Sequence, residues 1–410
     1  MNETPRSGRL HIALFGRRNV GKSSIINAIT NQDIAVVSAV KGTTTDPVFK
    51  AMELLPIGPV VIIDTAGLDD EGELGELRRK KTLEVLRKTD LALIILDPSS
   101  GVTEFDLLIS KQVKERKIPV LGILNKTDLL KIDDIAKKKY EESLGIKLIP
   151  VSATKKEGIL ELKEAIIQIA PSGEEPKLLG DLISAGDFVV LVIPIDKAAP
   201  KGRLILPQQQ AVRDVLDSGA IAIVTKETDL KETLKNLGKR PTLVVTDSQA
   251  FGSVSADTPE DIALTSFSIL MARQKGDLKE LCRGAEIIEK LKDGDKVLIA
   301  EACTHHQQCD DIGRFKIPRW LNENTGKKLL LEYTTGTQFP ENLKDYSLII
   351  HCGGCMLNRR EMMYRISQAQ VKEIPIVNYG VLIAYFHGIL DRAMSPFSLS
   401  VIKGPGNGEG

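Results

Sequence analysis

The chain has 410 residues, enough for two to four domains, with 42% apolar and 27% charged residues, the balance of an ordinary folded protein. Its 55 basic and 55 acidic residues cancel and aromatics make up only 4%, which argues against a basic nucleic-acid stripe or a stacking surface for single strands. Five cysteines are too few for a disulfide framework, no run of about 18 apolar residues suggests a membrane span, and Met1–Arg6 lacks the apolar core of a signal peptide. A cytoplasmic protein with no membrane and no nucleic-acid partner is expected.

In chain order, residues 10–15 read as a buried strand, followed by Gly16-Arg-Arg-Asn-Val-Gly21-Lys22-Ser23 and a helix over 24–30. This is a phosphate-binding loop between a strand and a helix, the context the motif requires. Backbone N–H groups from Gly16 to Ser24, through Asn19, Val20 and Gly21, close around phosphates. Lys22 neutralises the outer two, and Ser23 offers a hydroxyl to Mg²⁺. A second strand, 60–63, ends in Asp64-Thr-Ala-Gly67, where Asp64 serves Mg²⁺ and Gly67 donates to the γ-phosphate. Strands at 91–96 and 120–124 follow. The latter ends in Asn125-Lys126-Thr-Asp128, whose Asp128 carboxylate accepts from the ring N–H and exocyclic amine of guanine and so selects GTP. The strand 147–151 ends in Ser152-Ala153, placed to cap the guanine carbonyl.

Five pieces in this order resemble a Ras-like P-loop G domain, taken as residues 1–170, with GTP as substrate and Lys22, Thr44, Asp64 and Gly67 as its catalytic groups. Lys41-Gly-Thr-Thr-Thr-Asp46 is similar to switch I of the tRNA-modification and Era-like GTPases. That likeness implies Thr44 on Mg²⁺ and a K⁺ ion held by Asn19. Leu68 stands where Ras-like proteins carry their water-positioning Gln, so slow, K⁺-stimulated hydrolysis is expected. The acidic, glycine-rich stretch from Asp69 reads as switch II.

After a linker at 170–176, strands at 188–193, 220–224 and 242–246 alternate with helices at 208–217 and 231–237. This is a small α/β domain, 178–257, without visible chemistry. A spacer or dimerisation role is its default, with 188–193 as a sheet edge able to pair across a two-fold axis.

The third domain, 258–410, opens with helical segments over 259–291. The apolar stripe Ile262, Leu264, Phe267, Leu270 and Met271 reads as core. Strands at 296–300, 328–332, 346–350 and 374–378 follow, so the architecture is α/β with mainly parallel sheets throughout. Two of these strands deliver thiols: Cys303-Thr-His305-His306, then, after forty-five residues counted from His305, His351-Cys352-Gly-Gly-Cys355. Sites in open parallel sheets form beyond the carboxyl ends of strands, so the segments can face one another. Cys355 is expected to begin a helix over 356–371, whose dipole would favour its thiolate. Cys282 and Cys309 fit core or surface packing better than ligation. Three thiols with a histidine satisfy zinc, and three thiols with one open position satisfy an iron–sulfur cluster; residue chemistry leaves both open.

The pattern Cys303-x-His305, forty-five residues, His351-Cys352-x-x-Cys355, after a G domain and a spacer, resembles the [FeFe]-hydrogenase maturation GTPases of the HydF type. The resemblance implies a [4Fe-4S] cluster on Cys303, Cys352 and Cys355, with His305 or His351 as candidate fourth ligand and Glu301 or Asp310 as oxygen alternatives. It also implies a scaffold carrying a transient di-iron CO/CN precursor, with two radical-SAM maturases and apo-hydrogenase as partners; a homodimer is expected from the default role of the 178–257 domain. One of Arg359 and Arg360, just past Cys355, would with the helix N-terminus attract that anionic unit. The competing readings are a GTP-regulated zinc-binding protein and an RNA-modification or ribosome-assembly GTPase.

Overall fold

A computed structural model of the protein describes residues 6–30, 47–65, 75–171, 176–195, 204–302, 312–336 and 338–397, with the side chains of 75–79 left aside. Two compact units are present, Met1–Gly173 and Glu174–Gly410.

The first unit is built on β1 (Leu10–Phe15), β2 (Val48–Leu54), β3 (Gly58–Asp64), β4 (Leu91–Leu96), β5 (Val120–Leu124) and β6 (Leu148–Pro150), in the order β2-β3-β1-β4-β5-β6. All pairings are parallel except β2 with β3. The strands read as unbroken apolar runs because both faces are covered. Ile12, Leu14, Leu91, Leu93 and Ile95 enter one core, while Ala13, Phe15, Ala92, Ile94 and Leu96 enter the other. Period-two alternation therefore splits each strand between two apolar layers rather than between core and water. The partly exposed strand β2 was not anticipated: its mixed Val-Phe-Lys-Ala-Met-Glu-Leu pattern belongs to an edge strand.

The second unit carries two four-stranded parallel sheets. β7 (Phe188–Val192), β8 (Ile221–Thr225), β9 (Leu243–Thr246) and β10 (Ala263–Ser266) lie in the order β10-β9-β7-β8. β11 (Lys296–Glu301), β12 (Leu330–Thr335), β13 (Leu348–His351) and β14 (Ile376–Asn378) lie in the order β12-β11-β13-β14. One apolar cluster joins them, running from Val190, Val244 and Leu264 to Val297, Ile299 and Ile350.

Three expectations change. Residues 263–266 are a strand, not part of a helical run, so the middle sheet extends past residue 257; the stripe residues Ile262, Leu264, Phe267, Leu270 and Met271 are all buried. β7 is interior, paired to β8 and β9, so 188–193 is not the edge; β8 is, with Ile221 and Val224 turned outward at 45% and 51% exposure. The helix after the second cysteine pair runs Arg359–Val371 with Asn358 as its N-cap, so Cys355 sits in the turn ahead of it and not at its N-terminus.

Close approach also fixes the unit's interior. The helix Leu278–Ala285 lies so near β14 that a Cβ on Gly284 would run into the Ile376 carbonyl. Backbone cannot yield as a side chain does, so Gly284→Ala should destabilise this unit by about 1–3 kcal/mol, read as a lower midpoint in urea denaturation.

Candidate functional site

At the phosphate loop, Gly16 and Gly21 hold φ +148° and +94°, and a Cβ on either would strike the Ile95 carbonyl or the Asn125 side chain. Asn19 also has positive φ, at 63°. The buried Lys22 ammonium donates to the carbonyls of Gly16 and Arg17, the second at 2.9 Å. Ser23 Oγ donates to Asp64 Oδ2 at 3.0 Å, while Asp64 Oδ1 is buried with no hydrogen-bond partner among the described residues. A hydroxyl and a part-satisfied carboxylate side by side fit a hard cation such as Mg²⁺. Ser24 and Val20 flank this loop, and Asn125 braces it, donating from Nδ2 to Val20 O at 2.8 Å and accepting from Ala153 N–H at 3.2 Å.

The base end is equally preset. Asp128 Oδ1 accepts from Ser152 Oγ at 2.7 Å, and the Ser152 hydroxyl accepts from Lys155 N–H at 3.1 Å. Lys126, at φ 62°, pairs with Asp97 at 2.7 Å. Burial opposes ionisation of Asp97, but bonds from Lys126 and Ser99 outweigh it and hold the carboxyl below its usual range. Asp97 was missed from sequence because it lies one strand away from its partner. Thr44, Gly67 and Leu68 lie outside the described residues.

The thiol site forms where β11 and β13 lie side by side, their register setting Ala300 opposite His351. β12 and β14 flank them on opposite sides, so the chain leaves this pair in two directions, the arrangement that opens a crevice at strand ends. Cys352 N–H donates to Ala300 O at 3.0 Å, and Ala302 N–H donates to Cys352 Sγ at 3.1 Å. The chain thus reaches residue 302 in contact with the sulfur of Cys352, one residue before Cys303. Cys303, His305, His306, Cys309 and Asp310 lie outside the described residues. No group of three metal-ligating side chains occurs among the described ones. Cys282, Cys352 and Cys355 are thiols; Cys282 is buried 3.7 Å from Met394 Sδ, and burial, with Glu286 and Asp277 nearby, pushes it up to about 12. Burial also pushes Cys352 up to about 11, against the N–H groups of Ala302 and Gly354 that favour its thiolate. A thiol so placed becomes a thiolate most readily when a cation takes the proton's place, which suits a metal ligand.

Both ring nitrogens of His351 have protein partners. The ring is fully buried; Nδ1 donates to the Cys352 carbonyl at 2.7 Å and Nε2 accepts from Arg365 Nη1 at 3.0 Å. A carbonyl can only accept, which fixes the tautomer. Burial and then the Arg365 charge push the imidazole down to about 3, so it is neutral. Arg365 is itself wholly buried, bonded to Glu361 at 3.1 Å and to Gly336 O at 3.2 Å, with its guanidinium 5.1 Å over the Phe339 ring. Glu301 is engaged as well, accepting from Tyr379 OH at 3.3 Å with Arg314 3.8 Å away. Arg359, expected to face an anionic ligand, donates instead to Gln274 O at 2.6 Å.

The segment 178–276 matches the model of the hydrogen maturase F dimerization domain, and 279–396 matches that of the hydrogen maturase F tetramerization domain. The chain belongs to the hydrogen maturase F family. These two models cover more than half of the 410 residues. Residues 11–126 match the model of a 50S ribosome-binding GTPase, so the family's two modules here follow a GTPase domain. Among curated proteins the chain is 34% identical to a Nostoc tRNA modification GTPase MnmE over 173 residues, 42% of this chain and 37% of that protein. It is 36% identical to the GTPase Der of a Nitratiruptor species over 141 residues, 34% of this chain and 29% of that protein. The chain therefore spans only about a third of the length of these relatives. Among solved structures, the FeoB G-domain from Methanococcus jannaschii is 30% identical with a TM-score of 0.31, covering 40% of this chain and 98% of that one.

Replacing Arg365 by Met would strand the Glu361 carboxylate in the interior. Loss of one member of a buried pair costs about 3–5 kcal/mol. Thermal denaturation of Arg365→Met should show a clear drop in the melting point of the second unit, larger than that of Glu361→Gln.

Proposed function

We propose that this protein is a GTPase scaffold of [FeFe]-hydrogenase maturation. On this reading a [4Fe-4S] cluster rests on Cys303, Cys352 and Cys355, and a di-iron CO/CN precursor is carried to apo-hydrogenase, with two radical-SAM maturases as partners. The observation that carries the metal reading is the 3.1 Å bond from Ala302 N–H to Cys352 Sγ, inside the segment that matches a hydrogen maturase F module. It brings the approach to Cys303 against the second thiol segment. With both nitrogens of His351 engaged, the fourth ligand falls to the residues after Cys303 or to solvent, so His305 is the remaining histidine candidate. When bound, the cluster would supply an iron site open to exchange; the protein's part is to hold it on three sides.

GTP binds, on the same proposal, with Lys22 on its outer phosphates, Ser23, Asp64 and Thr44 around Mg²⁺, K⁺ at Asn19, and Gly67 donating to the γ-phosphate. Asp128 reads guanine. Anaerobic iron, sulfide and EPR analysis tests the metal half. Wild type should carry a cluster, and Cys303→Ser, Cys352→Ser and Cys355→Ser should each lose it; a colourless, zinc-only wild type would overturn the reading. In the same preparations Asp128→Asn should lower GTP affinity tenfold to a hundredfold, since one acceptor for guanine is replaced by a donor and the other loses its charge. Its iron content should match wild type.

Self-association follows from the match to a dimerization module and the open edge of β8. A second copy pairing there would cover Ile221 and Val224 and satisfy the edge's backbone groups. Val224→Lys should shift the protein to a smaller species in analytical ultracentrifugation; an unchanged mass would place the contact elsewhere.

A further inference from the structure

The helix Phe267–Lys275 lies in the segment matched to dimerization, yet it forms the floor of the cysteine loop. Its last residue, Lys275, is 5% exposed. The Lys275 ammonium donates to Leu357 O at 2.8 Å, to Cys355 O at 2.9 Å and to Gly354 O at 3.4 Å. At the other end of the helix, Ser268 lies beneath Gly353, where a Cβ would come within 3.4 Å of its Oγ. Asn378 Nδ2, at the end of β14, donates to Ser268 O at 3.1 Å and to Ser268 Oγ at 3.2 Å. Arg359 reaches back to Gln274 O from the far side of the loop. Cys355 packs on the middle sheet's core with Phe267, Leu270 and Met271, whereas Cys352 packs on the other core.

Removing an ammonium from water costs several kcal/mol, and such a group persists only where fixed acceptors replace the water. Here the acceptors include three carbonyls of one short turn, at Gly354, Cys355 and Leu357. Gly354 adopts φ +62° to start that turn, and Leu357 N–H closes it on Gly354 O at 3.0 Å.

We propose that Lys275 is a positioning residue for the metal centre: its ammonium winds the 354–357 turn that sets Cys355 relative to Cys352, and it places a positive charge on the carbonyl of Cys355 itself. This rests on the cluster reading above and deepens it, because the middle module then supplies a residue without which the metal site is incomplete. A fixed positive charge stabilises the more negative, reduced form of a thiolate-ligated cluster. It therefore raises the reduction potential by ordinary electrostatics.

The test uses the full chain, reconstituted anaerobically with iron and sulfide. It reads iron content, an EPR-monitored redox titration, and circular dichroism for folding. Lys275→Gln keeps a donor and removes the charge. It should fold, bind less iron, and shift the reduction equilibrium about tenfold toward the oxidised form, ~59 mV for a one-electron couple. Lys275→Arg should restore the potential. A Lys275→Gln protein with wild-type iron content and potential would overturn the proposal, as would an Arg variant that falls as far as the Gln variant. Should Lys275→Gln not fold, Ser268→Val reads the same seat from the opposite end of the helix: lost iron or a displaced potential supports the coupling, and wild-type values for both overturn it. Failure of wild type to take up any cluster is a separate result, and it would defeat the cluster reading itself.

Discussion

The register between β11 and β13 governs the C-terminal half of this protein. With Ala300 opposite His351, the next residues of each strand are obliged to meet: Cys352 N–H finds Ala300 O, and Ala302 N–H finds Cys352 Sγ. A slip of one residue would turn the side chains of a strand to its other face. His351 would leave its buried place beside Arg365, and Cys352 would leave the start of the Cys303 segment. Both strands are four-sided in their packing, with Val297, Leu298, Ile299, Leu348, Ile349 and Ile350 all buried, so the register is held by apolar burial on both faces.

Around this junction the protein spends stability on polar groups. Glu361, Arg365 and His351 form a chain of buried bonds from the 359–371 helix to the end of β13, and Lys275 binds three carbonyls from beneath. Such groups stabilise little in net terms and strongly when one partner is removed, so their effect is to make one loop geometry much better than its neighbours. The GTPase domain follows the same logic with a different end. Asn125 ties Val20 to Ala153, and Lys126 pairs with Asp97, so the loops around phosphate and base are braced by each other.

The sequence was sufficient for the nucleotide motifs because each is local. A phosphate loop needs glycine at positive φ and a lysine at fixed spacing, and both are visible as letters. It was also sufficient for most strands, since doubly covered parallel strands read as apolar runs. β10 was hidden for the same reason: Ala-Leu-Thr-Ser is four residues long and continues into a helix with an equally apolar stripe. β7 looked like an edge because pairing order is not a property of one segment.

The sequence by itself determined the GTPase motif set, the alternating α/β pattern and the spacing of two thiol segments at strand ends, because these follow from local chain geometry. Only the tertiary structure decided which partners the described polar side chains near the thiols bond to, since those partners lie far off in the chain. His351 Nε2 accepts from Arg365, fourteen residues on, and Arg359 donates to Gln274 O, some 85 residues back. Lys275 gave no sign at all, since a lysine ending a helix is ordinarily a solvated one. Its partners lie about 80 residues away, and contacts at that range are set by how helices pack on sheets, which no local pattern encodes.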